Sequence, residues 1–195
     1  MPYTIALGGM LAGWVGLLAA MVVGFKPKRE VRSRSRDFGA PLSIALQGAG
    51  FAFAFSGRLG RPSPFFTGTM PTQWLATAVV VGLSVSSAAF VFAAVRTLGK
   101  QWSLQPELVV DHKLITAGPY AIVRHPIYTS LFGLMLASGI VFTSPLILSV
   151  ATVLFLIGTV IRMRVEERLL RTSFGEVYTT YSRRVPALIP FLRRR

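Results

Sequence analysis

From Ile127 to Ile161 the chain carries no charged side chain, and near the middle of that run stands Thr143-Ser144-Pro145. A helix needs about 20 apolar residues to cross a hydrocarbon core of about 30 Å. Folded back at the prolyl turn as a helical hairpin, the run crosses twice with each half near the short end of the spanning range of about 17–25 residues, with limited tilt or a locally thinned bilayer. Few structures other than a bilayer-embedded one tolerate so long an uncharged stretch, because an unpaired backbone in lipid forces helix or closed barrel. Two more segments behave alike: residues 2 to 25 lack any charge, and Thr72 to Val95 is equally apolar. A fourth, weaker run extends from Phe38 to Gly57. With 52% hydrophobic and only 14% charged residues in 195, the whole chain reads as an all-α integral membrane protein of about five transmembrane helices, a single domain over 1–195.

The charge pattern supplies a topology. Lys26, Lys28, Arg29, Arg32, Arg34 and Arg36 follow the first run, and Arg96 and Lys100 follow the third. The positive-inside rule puts both clusters in the cytoplasm, with the N-terminus outside and the C-terminus inside. The first run has no basic residues ahead of it, which argues for a retained span over a cleaved signal peptide. A net charge of +14 elsewhere suggests nucleic acid. Here the cations cluster at the ends of apolar runs, so their partner is the lipid bilayer and its anionic headgroups, not nucleic acid. The absence of cysteine excludes disulfides, thiolate metal sites and a cysteine nucleophile, and two histidines are too few to suggest a metal centre. Gly9 and Gly13, four apart, permit close helix packing, within the chain in preference to a dimer. The tail from Arg162 has Leu170, Phe174, Val177, Tyr178 and Tyr181 at helical spacing among many charges, which predicts an amphipathic cytoplasmic helix on the membrane surface.

Polar groups collect at one depth on the cytoplasmic side. The connection from 96 to 125 carries Gln105, His112, Tyr120, Arg124 and His125; Tyr128 opens the fourth span, and Arg162, Glu166 and Glu167 close the fifth. An antiparallel hairpin brings the last two groups to the same membrane face. Arg162 and Glu166, four apart, share one side of a helix. Taken singly, each has an ordinary structural reading: arginines and histidines at span ends are interfacial anchors, Glu166 and Glu167 form a solvated face paired to Arg164 or Arg171, Pro126 suits a first helical turn, and Tyr120 and Tyr128 fit an aromatic belt.

In combination they carry more. The order "GPYAIVRHPIY", uncharged hairpin, "RMRVEERLLRTSFGEVYTTY", "RVPALIPF" resembles the isoprenylcysteine carboxyl methyltransferase family, within the wider group of integral-membrane methyltransferases that includes the phospholipid methyltransferases. The resemblance spans about Leu98 to Phe191, and Ser130 stands where the family often has glycine. It implies a cofactor, S-adenosyl-L-methionine, held by Gln105, by His112, Lys113, Leu114 and Ile115, by Tyr120, by His125, Pro126, Ile127 and Tyr128, and by Glu166. It implies Arg162 beside the acceptor carboxylate, a cofactor-binding half over 96–195, and three N-terminal spans (1–95) that choose a lipophilic methyl acceptor. Carboxyl methylation of a prenylcysteine-like acid is the expected reaction, with phospholipid or small-thiol methylation as alternatives. A membrane reductase of sterol-reductase type using NADPH, or a non-enzymatic scaffold or transporter, are the rival classes. A compact chain of this kind suits a prokaryotic plasma membrane.

Overall fold

A computed structural model describes residues 1–24, 31–34, 39–57, 61–103, 107–109 and 113–190. Its helices are α1 (Pro2–Gly24), α2 (Gly39–Ala54), α3 (Met70–Leu98), the single turn α4 (Pro119–Ile122), α5 (Pro126–Phe142) and α6 (Pro145–Arg184). Three of them, α1, α3 and α6, are long and apolar enough to cross a membrane, and α2 and α5 are shorter apolar helices. The boundaries fall within a few residues of the predicted runs.

The helices are apolar on their outer sides as well as their inner ones. In α1 the buried residues Ala6, Met10, Gly13, Leu17 and Ala20 recur at helical spacing, yet the opposite side exposes Leu11, Val15, Leu18 and Val22. A helix of a water-soluble protein would present charge there; an outer surface of this kind belongs in lipid, and the protein is an integral membrane protein.

Close approaches fix the helix directions. A Cβ added at Gly9 would meet Val81, at Gly13 Ser84 and Leu134, and at Gly16 Ala88. Contacts that advance together in both sequences make α1 and α3 parallel, and the Gly9/Gly13 pair does its packing inside the chain. α2 lies antiparallel to α6, with Gly50 against Ala151 and Phe155 and Gly158 against Ser43. α5 sits between these two pairs: Leu134 packs with Leu17 and Val91, while Met135 packs with Ala54 and Phe155. Polar pairs are made between helices, Trp14 Nε1 donating to Ser138 Oγ at 3.1 Å and Gln47 Nε2 to Thr159 Oγ1 at 3.0 Å, as a low-dielectric surrounding requires.

The position at Gly13 gives a direct test. Leu134 Cδ2 and Ser84 Cβ lie 2.8 Å from where its Cβ would stand, so Gly13→Leu should overpack the α1/α3/α5 junction and cost about 1–3 kcal/mol, read as a lower thermal midpoint. Gly8→Leu, whose Cβ would meet nothing within 4 Å, should leave the midpoint unchanged.

The hairpin turns where the sequence indicates. Thr143 leaves α5 in an extended conformation, Ser144 caps α6 by accepting from the Ile147 amide at 3.4 Å, and Pro145 occupies the first turn. Two features differ from expectation. Val31–Arg34 and Glu107–Val109 form a small antiparallel ribbon, β1 and β2, with Val31 opposite Val109 and Arg34 opposite Glu107. Residues 31–34 overlap the arginine-serine run 32–36, expected above as part of a basic cluster that follows the first span and meets lipid headgroups; they contribute backbone to this ribbon, which joins the α1–α2 and α3–α4 connections. Second, the tail is not a separate surface helix. α6 continues unbroken past Arg162 to Gly175, whose φ of 52° and ψ of −125° redirect it. That backbone conformation is open to glycine and strained for other residues.

Candidate active site

The segment 113–128 and the end of α6 build a single cluster. At its start Gly118 takes φ 60° and sends the chain into α4, and Tyr120 becomes buried there. Val123 is extended, and His125, the residue before Pro126, is driven out of the helical region to φ −125° and ψ 62°, so that α5 begins at that proline. The Lys113 amide donates to Gln101 Oε1, which ties the stretch 113–115 to the turn following α3.

Tyr128 and Glu166 face one another across the hairpin. The Tyr128 hydroxyl donates to Glu166 Oε1, and Arg162 Nε donates to both, to the Tyr128 oxygen at 3.1 Å and to Glu166 Oε1 at 3.1 Å. His125 lies between the two acidic residues, its Nδ1 3.6 Å from Glu166 Oε2 and its Nε2 3.3 Å from Glu167 Oε1. Arg124 grips Glu167 Oε1 through Nε at 2.9 Å and Nη2 at 2.7 Å. His125 and Arg162 are nearly excluded from solvent. Charges so placed persist only when paired, and here each cation has a carboxylate.

Arg124 also holds the tail. Its Nη1 donates to the carbonyls of Ser182 at 2.7 Å and Val185 at 2.6 Å, while its amide and that of His125 donate to Pro186 O at 2.8 Å and Ala187 O at 3.0 Å. Thr129 Oγ1 donates to Leu188 O at 2.6 Å. The "VPAL" stretch therefore runs along residues 124–129 and closes the cluster at that end of the hairpin. Tyr181 follows the same course, its hydroxyl donating to Tyr120 O at 2.6 Å.

These elements enclose a cavity of about 450 Å³, a size typical of small-molecule sites. Lys113, Leu114, Ile115, Tyr120, His125, Ile127, Tyr128, Arg162 and Glu166 line it, so the structure brings together most of the residues singled out in the sequence. Pro126 is buried in the helix start instead of lining the cavity. Gln105 and His112 lie outside the described residues. Sequence reasoning missed other walls: Trp102 and Gln101 after α3, Met21, Ile44 and Gln47 from the first two helices, and Tyr178 and Tyr181 from the tail. The spacing of Tyr178 and Tyr181 was noticed, but it was assigned to a membrane surface. Tyr178, fully buried, and Tyr181, partly buried, both face the cavity, which corrects that assignment for these two residues. Glu167, expected on a solvated face, does meet Arg171 at 3.4 Å, yet its main partners are Arg124 and His125.

Electrostatics fix the protonation of the cluster. Burial opposes charge on His125, but hydrogen bonds and attraction from Glu166 and Glu167 prevail and raise its pKa above the ordinary 6.5. Burial would raise Glu167, but the His125 hydrogen bond and the Arg124 charge lower it from 4.5 to about 2. The histidine contribution to stability is therefore complete below pH 6.5 and lost as pH rises through its raised value; the Glu167 contribution is present above pH 4.5 and lost as pH falls through about 2. The thermal midpoint should accordingly fall on the alkaline side of pH 6.5. His125→Asn should abolish that alkaline step; an unchanged alkaline limb in the variant would contradict the assignment.

A helical membrane protein with a polar cavity at the mouth of an apolar hairpin is the class that fold and site define. Residues 80–172 match the model of the isoprenylcysteine carboxyl methyltransferase family. Among similar proteins, the protein-S-isoprenylcysteine O-methyltransferase of Tribolium castaneum is 32% identical over 132 residues, covering 66% of this chain and 46% of the relative. A methanethiol S-methyltransferase of Pseudomonas deceptionensis is 36% identical over 93 residues, 47% of this chain and 35% of the relative. The chain thus spans about half, or less, of the length of these relatives. The structure of a eukaryotic intramembrane Ras methyltransferase superposes with a TM-score of 0.63 at 22% identity, over 98% of this chain and 68% of that one, and establishes a shared fold.

Proposed function

We propose that the protein is an S-adenosylmethionine-dependent membrane methyltransferase that methylates the carboxylate of an isoprenylcysteine-like or other hydrophobic acid. The observation that carries this reading is the Tyr128–Glu166–Arg162 cluster, set in a cavity lined both by polar groups such as Lys113 and Tyr120 and by apolar ones such as Met21, Ile44 and Leu131. The donor set fits the cofactor: a carboxylate and imidazole for its amino-acid end, and tyrosines for its uncharged parts. Lys113, Leu114, Ile115, Tyr120, His125, Ile127, Tyr128 and Glu166 would hold it. When bound, the cofactor supplies an electrophilic methyl group on a sulfonium.

The residues of the chain do the rest. A carboxylate acceptor is already ionised near neutral pH, so no general base is required, in keeping with a cluster whose acids are engaged in ion pairs. Arg162 would orient that carboxylate through its planar fork of donors. Ile127, Leu131 and Leu169 keep water from the reacting groups, which favours the joining of opposite charges. The first two helices contribute Met21, Ile44 and Gln47 to the same cavity, an arrangement that lets a lipidic acceptor enter from the bilayer side. We further place the chain in a prokaryotic plasma membrane, with five spans and the site on the cytoplasmic face.

The similarity to a methanethiol S-methyltransferase favours a second acceptor class, a small thiol. Incubation of the purified protein with methyl-labelled S-adenosylmethionine separates the two. Label appearing as a base-labile ester of a farnesylcysteine analogue supports the carboxyl reading. Label appearing only in volatile thioether from an added alkane thiol replaces it with the thiol reading.

A further inference from the structure

Gln47 is the one amide or charged side chain in the apolar stretches 2–24, 39–54, 126–142 and 145–161. An amide in such surroundings is costly unless its two N–H groups and its oxygen find partners. Among the described residues its side chain makes one hydrogen bond, Nε2 donating to Thr159 Oγ1 at 3.0 Å. That tie does not by itself call for glutamine, because α2 and α6 already approach closely: a Cβ added at Gly158 would stand 2.7 Å from Ser43 O and 3.0 Å from the Gln47 backbone nitrogen. The tie also leaves one N–H and the carbonyl oxygen of the side chain over. Gln47 is half-buried and lines the cavity, so this donor and this acceptor are available to whatever the cavity holds.

Position and chemistry indicate what that is. Thr159 precedes Arg162 by three residues, so the two lie about 4.5 Å apart along one side of α6. The Gln47 amide thus sits one helical turn further into the apolar bundle than the guanidinium assigned above to the acceptor carboxylate, and Ile44, three residues earlier on α2, lines the same cavity. A bare carboxylate only accepts hydrogen bonds and would leave the Gln47 oxygen unmatched; a secondary amide offers one N–H and one carbonyl, which match what Gln47 has left. Resting on the carboxyl-methylation reading above, we propose that Gln47 selects the acceptor by hydrogen-bonding to an amide group beside its carboxylate. The preferred acceptor is then an N-acylated amino acid with an apolar side chain, and a plain hydrophobic acid is disfavoured because it leaves the Gln47 amide unpaired.

The test compares two acceptors on the full chain in lipid nanodiscs, with methyl-labelled S-adenosylmethionine. One is N-acetyl-S-farnesylcysteine; the other is farnesylthiopropionic acid, which keeps the thioether, the carboxylate and the isoprenoid and lacks the acetamido group. Wild type should show a KM about tenfold lower for the first. Gln47→Met, which keeps the length of the side chain and removes the amide, should raise that KM to the level of the second acid, leave the second unchanged, and leave S-adenosylhomocysteine affinity unchanged. Weaker helix packing alone would not alter the ratio of the two KM values measured on one preparation. Equal KM values in wild type overturn the proposal whether or not the variant folds, as does a preference that survives in Gln47→Met or a loss of S-adenosylhomocysteine binding in it; all three leave the carboxyl-methylation reading in place. Wild-type protein that esterifies neither acid overturns that reading itself, and the proposal with it.

Discussion

Glu166→Gln should weaken S-adenosylhomocysteine binding by at least about a hundredfold, the largest effect expected of any conservative change in this chain. Glutamine keeps the size of the side chain and removes its charge. Arg162, only 6% exposed, and His125, equally buried, then lose the carboxylate that both face. Breaking a buried ion pair on one side costs about 3–5 kcal/mol, because the partner is left uncompensated, and about 3 kcal/mol is more than a hundredfold in affinity. Part of that cost falls on folding, so the binding measurement is to be made on variant protein whose thermal midpoint shows it folded. Binding within a few fold of wild type in such protein would remove Glu166 from the cofactor site and reduce the cluster to a structural ion pair.

Arg124→Ala should release the tail. One guanidinium joins α6 at Glu167 to the carbonyls of Ser182 and Val185, at a side chain 13% exposed. Its loss leaves Glu167 with only the longer contacts to His125 and Arg171 and takes the Arg124 donor from two carbonyls at once. A cost of about 3 kcal/mol corresponds to a fall of roughly 6–12 °C in the thermal midpoint for a chain of this size. Hydrogen exchange gives a sharper readout: the His125 amide, bonded to Ala187 O at 3.0 Å, should lose protection when the tail lifts. Arg124→Lys should recover only part of it, since an ammonium keeps the charge and loses the fork that reaches Glu167 and both carbonyls at once. Full protection in Arg124→Ala would show that the "VPAL" stretch holds itself in place.

Both expectations concern residues that the sequence marked to different degrees. The hairpin was legible because lipid leaves a backbone few options: an uncharged run interrupted by Ser144-Pro145 has to be two helices joined by a turn. From that turn alone, Tyr128 and Glu166 follow to the same membrane face. Arg162 was legible for a related reason, since a cation at the end of an apolar run, one helical turn before a carboxylate, has that carboxylate as its nearest partner.

The tail was not legible, and the reason is physical. Tyr178 and Tyr181 three apart among charges give the same pattern whether the apolar side rests on lipid headgroups or on protein. The decision lies with Gly175, whose positive φ cannot be deduced from its identity, and with Arg124, whose carbonyl partners sit about sixty residues away in sequence. Likewise Met21, Ile44 and Gln47 reach the cavity only because α1 runs parallel to α3 and α2 antiparallel to α6. These pairings are set by close approaches such as Gly13 to Ser84, which a hydropathy pattern does not contain. The β1–β2 ribbon was invisible for a simpler reason, since the arginine-serine run has none of the alternation of a half-buried strand.

The central claim is that the two ends of the hairpin, Tyr128 and Glu166, with Arg162 and the tail, form a binding site for a methyl donor. Titration of the wild-type chain in nanodiscs with S-adenosylhomocysteine, and separately with NADPH, tests it most directly. Saturable binding of the first at one site per chain, with no heat from the second, is the predicted result. Saturable binding of NADPH without binding of S-adenosylhomocysteine would contradict it and assign the cavity to a reductase.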